Sequence, residues 1–180
     1  MVKTVSTTYL ADRICRSEGI DLREVPVGFK NINELILKEK VLFGGEESGG
    51  YGVPAYLPER DGLMSALLIL EGLLLWDRPL SGVIEDIFRE FGSAYYRRVD
   101  FPADEKIKEQ ARNIMASETL KGMRVDRVLT MDGLKLIFGD ESWLLLRPSG
   151  TEPLIRVYAE APSESELRNL IEAGVSLLRV

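Results

Sequence analysis

The stretch WLLLRPSGTEPLIRVYAE, residues 143–160, predicts two neighbouring strands joined by a tight loop, and this pair decides the fold of the second half of the chain. The first strand, residues 143–147, is apolar until it ends in Arg147. The second strand alternates two sets of side chains, which are Ile155, Val157 and Ala159 against Leu154, Arg156 and Tyr158. Alternation with a period of two is typical of a strand that buries one face.

Two further strands are predicted before this pair, at residues 125–131 and 134–138, which gives a four-stranded antiparallel sheet. Asp132-Gly133 is a hairpin signal between them, and residues 139–142 form a second turn. Residues 95–101 are either a strand or an extended linker.

Helices are expected to pack on this sheet. Pro102 opens one, with Asp104 and Glu105 in its first turn, where the helix dipole favours carboxylates. Ser163 and Glu166 form the capping box of a final helix. The apolar face of that helix consists of Leu167, Leu170, Ile171 and Leu178. Residues 94–180 are therefore predicted to be an α+β domain.

The first part of the chain, residues 1–93, alternates strand and helix patterns, which indicates an α/β domain with a mixed sheet. The predicted strands are residues 2–6, 22–27 and 40–43, and the predicted helices are residues 8–18, 32–38, 61–76 and 81–91. The helix that Asp61 opens is apolar on nearly all sides and is expected to be buried. The fold class is thus α/β plus α+β.

Composition excludes several functions. The chain of 180 residues has a net charge of −6 and no basic run, so a nucleic-acid partner is not expected. Having no histidine excludes imidazole bases and imidazole metal sites. The single cysteine, Cys15, excludes an intrachain disulfide and fits a cytoplasmic location. No secretory or transit segment is expected at the start of the chain, and the apolar run 63–76 is too short to span a membrane.

The arginine–serine loop, residues 147–152, has the chemistry of a phosphate site. Gly150 allows a positive φ, with which the amides of Ser149, Gly150 and Thr151 would converge as an anion nest. Arg147 adds a planar fork suited to phosphate oxygens. The alternative is a hairpin turn whose hydroxyls serve only the backbone. Glu152 opposes phosphate unless it points away or pairs with an arginine.

The glycine–carboxylate loop, residues 43–52, has five glycines in ten residues, which let the backbone approach a ligand closely. A carboxylate of Glu46 or Glu47 can accept hydrogen bonds from two adjacent sugar hydroxyls, and Ser48 adds a further polar group. The alternatives are a flexible surface loop and a carboxylate metal site, although no second acidic cluster lies nearby in the sequence.

Together and in this order, GGEESGG and RPSGTEP resemble the sugar-binding and phosphate-binding motifs of the third and fourth domains of the α-D-phosphohexomutases. The resemblance covers the whole chain. It implies that Glu46 and Ser48 bind the sugar hydroxyls, with Gly28 and Lys30 in the loop that distinguishes two sugar orientations. It also implies phosphate binding by a set made of Arg147, Ser149, Gly150 and Thr151. Glu47 and Gly50 resemble the glucose and mannose enzymes more than the glucosamine enzymes.

The resemblance further implies an isomerase that converts hexose 1-phosphate to hexose 6-phosphate through a phosphoserine and a hexose 1,6-bisphosphate, with bound Mg²⁺. The phosphoserine and Asp-x-Asp-x-Asp motifs do not occur in this sequence. No catalytic residue and no metal ligand is therefore placed in this chain, and the chain alone is expected to be inactive. It would need an N-terminal half, on the same or a separate chain. No association with a membrane is expected. The alternatives are a stand-alone sugar-phosphate binding or regulatory module and a purely structural domain.

Overall fold

The computed structural model describes residues 1–112 and 119–179. It divides into two compact units, Met1–Gly92 and Ser93–Val180. Within the described residues no helix has the length and apolar character needed to cross a membrane.

The first unit is a mixed α/β layer structure, which confirms the predicted class. Its strands are β1 (Val2–Thr4), β2 (Arg23–Val25), β3 (Gly44–Gly45) and β4 (Tyr51–Gly52). Its helices are α1 (Leu10–Ser17), α2 (Phe29–Lys38), α3 (Gly62–Trp76) and α4 (Leu80–Phe91). The sheet order is β2-β1-β3-β4, with β1 parallel to both β2 and β3, and with β4 antiparallel to β3. The helix α2 packs on this sheet, and the core consists of Val2, Val25, Phe29, Ile32 and Ile36.

The predicted third strand, residues 40–43, was wrong by a few residues. The paired segment is Gly44–Gly45, and before it only the Phe43 carbonyl accepts a hydrogen bond from the Val2 amide, at 2.9 Å. The physical reason is the closeness of α2, because a Cβ on Gly44 would lie 2.5 Å from Ile32 Cγ2. Only glycine allows the chain to pair with β1 at that place.

The predicted burial of the helix at residues 61–76 was also wrong. Asp61 caps α3 as its position suggests, with Oδ1 accepting from the Met64 amide at 2.9 Å. None of the side chains of α3 is buried, however, and Leu74 is 83% exposed. In its own unit α3 packs mainly against β4. Apolar character on all sides indicates that a helix needs cover, but it does not indicate which residues supply that cover.

The second unit has an antiparallel sheet of six strands in the order β5-β10-β9-β8-β7-β6. They are β5 (Tyr95–Pro102), β6 (Thr119–Leu120), β7 (Met123–Leu129), β8 (Leu134–Phe138), β9 (Trp143–Pro148) and β10 (Leu154–Ala161). The antiparallel sheet is confirmed and contains all four predicted strands. The short β6 and the former strand-or-linker segment, now β5, extend it at its two edges.

Two helices, α5 (Glu105–Arg112) and α6 (Glu164–Leu178), accompany this sheet. Half of the predicted capping box of α6 is confirmed, since Ser163 Oγ accepts from the Glu166 amide at 3.3 Å. The Glu166 carboxylate accepts from the Ser163 hydroxyl at 2.6 Å, whereas a complete box has it accept from the Ser163 amide. The helix expected to open at Pro102 begins later, because Pro102 pairs with Leu154 in the sheet. The apolar face of α6 lies on the sheet, over a core that includes Leu144, Leu146, Ile155 and Val157.

Candidate functional site

The glycine–carboxylate loop is a tight turn between β3 and β4. The Glu46 amide donates to the Gly50 carbonyl at 2.9 Å, and the Gly49 amide donates to the Glu46 carbonyl at 3.1 Å. Gly49 has a φ of 89°, a conformation that favours glycine. The loop therefore has a defined backbone that orients Glu46 towards the interior of its unit.

The Glu46 side chain is almost fully buried, with 4% of its surface exposed. Its Oε1 accepts a hydrogen bond of 3.0 Å from the amide of Gly28, the residue that precedes α2. Its Oε2 lies 3.9 Å from Arg60 Nη1, which is a loose ion pair. Gly28 and Glu46, predicted from separate motifs, are thus in direct contact. The N-terminus of α2 suits a carboxylate because helix amides and the helix dipole both attract negative charge.

Burial raises the pKa of the Glu46 carboxyl above its ordinary value. The hydrogen bond from Gly28 and the charge of Arg60 act in the opposite direction, whereas the neighbouring Glu47 adds to the rise. Burial is the largest of these effects. The carboxylate is therefore poorly solvated and only partly neutralised, so a hydroxyl donor from a ligand would stabilise its ionised form.

The other two predicted sugar-binding residues lie at the surface of the same unit. Ser48 is exposed at the tip of the turn, and Lys30 is exposed in the first turn of α2. Neither side chain contributes to the contact between Gly28 and Glu46. The sugar-binding roles of all four residues stay predictions.

A buried polar cluster next to this loop was not predicted from the sequence. Ser6 Oγ donates to Glu47 Oε2 at 2.6 Å, and Thr4 Oγ1 lies 3.4 Å from the same oxygen. Lys3, whose side chain is fully buried, donates to the Thr8 carbonyl at 3.0 Å and forms an ion pair with Asp12. The sequence signal was the polar run that follows β1, TVSTT, which is unusual after a buried strand. Glu47 is thereby held by the end of β1.

The arginine–serine loop differs from the predicted anion nest. The Ser149 amide donates inward to the Leu154 carbonyl at 3.0 Å, and Ser149 Oγ accepts from the amides of Thr151 at 3.4 Å and Glu152 at 3.2 Å. Gly150 is exposed, and it does not have a positive φ. The expected convergence of three amides was therefore wrong, because the buried Ser149 side chain organises the loop from inside. Phosphate binding by these residues stays a prediction.

Arg147, at the end of β9, is mostly buried and already paired. Its Nε donates to Asp132 Oδ2 at 2.8 Å, and 17% of its side chain is exposed. Asp132 belongs to the predicted hairpin turn, in which Gly133 has a φ of 100°. The hairpin between β7 and β8 thus supplies the carboxylate that orients the arginine.

A second arginine lies directly beside the first. Arg156 of β10 is opposite Arg147 of β9 in the antiparallel register, so both side chains lie on the same face of the sheet. Arg156 pairs with the carboxylate of Glu152, which agrees with the expectation that Glu152 would either point away or pair with an arginine. Sequence reasoning placed Arg156 in its strand but not at the site. The available signal for Arg156 in the sequence was the similar length of the two strands that flank the loop.

In the part of the chain that the structure describes, no group of three or more acidic or cysteine side chains could hold a metal ion. The arrangement thus offers one acceptor site, at Glu46, and one cationic site, at Arg147 and Arg156. An acceptor site suits hydroxyl donors and a cationic site suits an anion.

Comparison with known proteins assigns each unit to a domain. Residues 1–91 match the family domain described as "Phosphoglucomutase/phosphomannomutase, alpha/beta/alpha domain III". Residues 99–175 match "Phosphoglucomutase/phosphomannomutase, C-terminal domain".

A phosphoglucomutase/phosphomannomutase of Thermococcus kodakarensis is 33% identical over 178 residues, which cover 99% of this chain and 37% of that relative. A phosphoglucosamine mutase of Methanocaldococcus jannaschii is 28% identical, with coverage of 99% and 39%. The crystal structure of a candidate phosphomannomutase from Thermus thermophilus is similar with a TM-score of 0.81 at 32% identity, covering 99% of this chain and 36% of that one. The chain spans less than two-fifths of the length of these relatives.

Proposed function

The chain belongs to the phosphoglucomutase/phosphomannomutase family, and from this premise we propose that it is the sugar-phosphate-binding part of a phosphohexomutase. Such an enzyme interconverts hexose 1-phosphate and hexose 6-phosphate, an isomerase activity. In this proposal the phosphoserine, the Mg²⁺ and the residues that bind them belong to an N-terminal half, on the same or another chain. Residues 1–180 bind and orient the hexose and its non-reacting phosphate.

The contact between Gly28 and Glu46 carries the proposal. It joins two sequence motifs through a hydrogen bond of 3.0 Å. Within the described residues, the other oxygen of this buried carboxylate has only the loose ion pair with Arg60. A sugar with adjacent hydroxyls supplies the donors that this carboxylate lacks. Burial increases the strength of such hydrogen bonds, because the surroundings screen them less than water does.

The arginine–serine loop is the proposed phosphate site of the second unit. Arg147 is the main phosphate ligand, since its guanidinium matches two phosphate oxygens at once. Ser149 fixes the loop from inside through three hydrogen bonds. The exposed Gly150 and Thr151 then face the anion. This division assigns the sugar to the first unit and the spectator phosphate to the second.

Glucose and mannose phosphates are the proposed substrates, and Gly50 supports this choice over glucosamine. A Cβ at Gly50 would lie 3.1 Å from Glu46 Oε2 and 3.4 Å from Arg60 Cδ. A larger residue at this position, such as the histidine that the glucosamine enzymes of the family tend to carry, would press on both side chains. With glycine, the Glu46 carboxylate stays open to a plain hydroxyl-bearing hexose.

Two measurements test the function. Titration calorimetry should show that the purified chain binds glucose 1-phosphate more tightly than it binds inorganic sulfate, because only the sugar phosphate has hydroxyl groups that can donate to Glu46. The chain alone should show no isomerisation of glucose 1-phosphate. Mixing it with the N-terminal half of a relative, Mg²⁺ and glucose 1,6-bisphosphate should restore turnover.

Each outcome distinguishes the alternatives. Binding without restored turnover would favour a stand-alone sugar-phosphate module over part of an enzyme. Equal affinity for sulfate and glucose 1-phosphate would contradict the sugar-binding role that is assigned to Glu46. A chain that binds neither would be a structural domain.

A further inference from the structure

We propose that Glu152 is a built-in competitor for the anion site, which occupies Arg156 until a phosphate replaces it. The inference rests on the proposed function, because it concerns the regulation of the same phosphate site. It adds Glu152 as the group that limits access to Arg156.

The first observation is the side-by-side arrangement of the two arginines. Arg147 and Arg156 are directly opposite on adjacent strands, where like charges repel one another. Each arginine has its own carboxylate: Asp132 for Arg147, and Glu152 for Arg156. The charge of each arginine is therefore offset by a carboxylate of its own.

The two carboxylates differ in how firmly they are held. Asp132 is 23% exposed and lies in the turn that Gly133 fixes, whereas Glu152 is 49% exposed and lies in the connecting loop. Returning a half-exposed carboxylate to water costs little, since such ion pairs contribute about 0–1 kcal/mol. Glu152 is therefore the partner that an incoming anion displaces.

On the other side of Arg156, the neighbouring strand β5 supplies a nearby negative charge but no hydrogen-bonding partner for Arg156. Asp100 of β5 is opposite Arg156, but both of its oxygens accept from Arg98, at 2.8 and 2.7 Å. Among the described residues, the Nε of Arg156 is buried and has no hydrogen-bond partner. A buried donor without an acceptor is costly, so Arg156 has an unused donor for an anion with several oxygens.

Phosphate satisfies these requirements in one exchange. Its oxygens can accept from both guanidinium groups, which relieves the repulsion between them and uses the free donor of Arg156. Glu152 then moves into solvent. A single-oxygen acceptor or a chloride ion cannot bridge both arginines and would not displace Glu152 as effectively. The competitor thus favours multi-oxygen anions.

The test measures sulfate affinity by titration calorimetry in the intact chain. Glu152→Gln should lower the dissociation constant for sulfate by about twofold to fivefold, because the competing charge is removed. The same change in a background of Arg156→Ala should produce no gain. Glu164→Gln is the matched control, since Glu164 is also exposed and pairs with an arginine, Arg97, at 3.5 Å. It should leave sulfate affinity unchanged.

The outcomes separate this inference from the proposed function. If the wild-type chain binds sulfate and Arg147→Ala weakens that binding tenfold or more, while Glu152→Gln leaves it unchanged or weaker, the competitor is wrong and the phosphate site stands. If the wild-type chain and Glu152→Gln both fail to bind sulfate while thermal melts show both folded, the phosphate site itself is wrong. A gain that persists in the Arg156→Ala background would show a general charge effect and would also overturn the exchange.

Discussion

The glycine–carboxylate loop presents a negative charge and the arginine–serine loop presents positive charges. The two loops differ in how far neighbouring groups neutralise these charges. Glu46 is 4% exposed, with one amide donor and a cation 3.9 Å away. Arg147 and Arg156 are each in close contact with a carboxylate of their own. Among the described residues, Glu46 thus has few groups that neutralise its charge, whereas each arginine is already paired with a carboxylate.

This difference determines whether the free-energy cost of the charge is incurred on folding or on ligand binding. Burying the Glu46 carboxylate weakens folding, and the raised pKa of Glu46 reports this cost. At the arginines the ion pairs remove the charge cost from folding, and binding must break at least one pair. On the proposed roles, a hydroxyl group would gain its hydrogen bonds to Glu46 directly, whereas a phosphate would gain its contacts by displacing a carboxylate.

The largest expected effect on stability comes from Gly133→Ala, which disrupts the turn that positions Asp132. Gly133 has a φ of 100°, and a Cβ there would lie 2.4 Å from the Leu146 carbonyl oxygen. Backbone strain and the clash together should destabilise the second unit by about 2–5 kcal/mol. Urea unfolding followed by the fluorescence of Trp143, in a Trp76→Phe background, measures this change.

The matched control is Gly122→Ala, where φ is 84° but nothing lies within 4 Å of the new Cβ. It should cost only about 1–2 kcal/mol, since strain acts alone. Equal losses for the two variants would mean that the close approach to β9 has no energetic weight. The fixed position of Asp132 would then have another cause.

Local signals in the sequence predicted most of this framework. Asp132-Gly133 and the Ser163–Glu166 box act within a few residues, so pattern reasoning located the hairpin and the start of α6 correctly. The side chain contacts that decide the two loops are non-local. The exposure of Leu74 depends on what packs against α3, and the position of β3 depends on the distance between Gly44 and Ile32. Neither feature can be read from the periodicity of the sequence.

The sites were predictable to a similar degree. The motifs indicated Glu46 and Arg147, and the structure adds partners that come from other segments, such as Arg60 and Asp132. Arg156 was recognisable as an outward-facing strand residue, but its neighbour depends on the register of β9 and β10. The predicted anion nest failed because the Ser149 hydroxyl accepts the loop amides itself.

Arg147→Ala should have the next largest effect, and it acts on both kinds of ligand. Losing charged hydrogen bonds to phosphate should cost about 1.5–3 kcal/mol, which is tenfold or more in affinity. Glucose 1-phosphate and inorganic sulfate should weaken alike in titration calorimetry. Arg97→Ala is the control, because Arg97 forms an exposed ion pair on β5 with Glu164. A sulfate affinity unaffected by Arg147→Ala would contradict the cationic site.

Glu46→Ala should separate the two loops. It removes the acceptor for the sugar hydroxyls and should weaken glucose 1-phosphate binding by about tenfold, at the lower end of the range expected for Arg147→Ala. Sulfate affinity should not change, because no sugar hydroxyl is involved. An equal loss for sulfate and glucose 1-phosphate would contradict the division between acceptor and cation.

The smallest effects are pH-dependent and should have opposite signs in the two units. Because the pKa of Glu46 is raised in the folded chain, the folded state binds the proton more tightly. Wild-type stability is therefore lost as pH rises from the ordinary carboxyl value of 4.5 through the raised pKa. Glu46→Gln cannot ionise, so its stability relative to wild type should increase over that window and then stay constant.

Asp100 in the second unit supplies the opposite case. Its hydrogen bonds with Arg98 lower the pKa of the Asp100 carboxyl, so its contribution to stability is complete above the ordinary value of 3.8 and is lost as pH falls through the lowered pKa. Since the Asp100 side chain is 41% exposed, solvent screening limits the loss in Asp100→Asn to about 0.5–1 kcal/mol at neutral pH. Urea unfolding between pH 3 and 7 reports the second unit through Trp143, and hydrogen exchange of the β1 amides reports the first. If the difference between Glu46→Gln and wild type did not vary with pH, the buried carboxylate would carry no folding cost, and the contrast between the two loops would reduce to the sign of their charge.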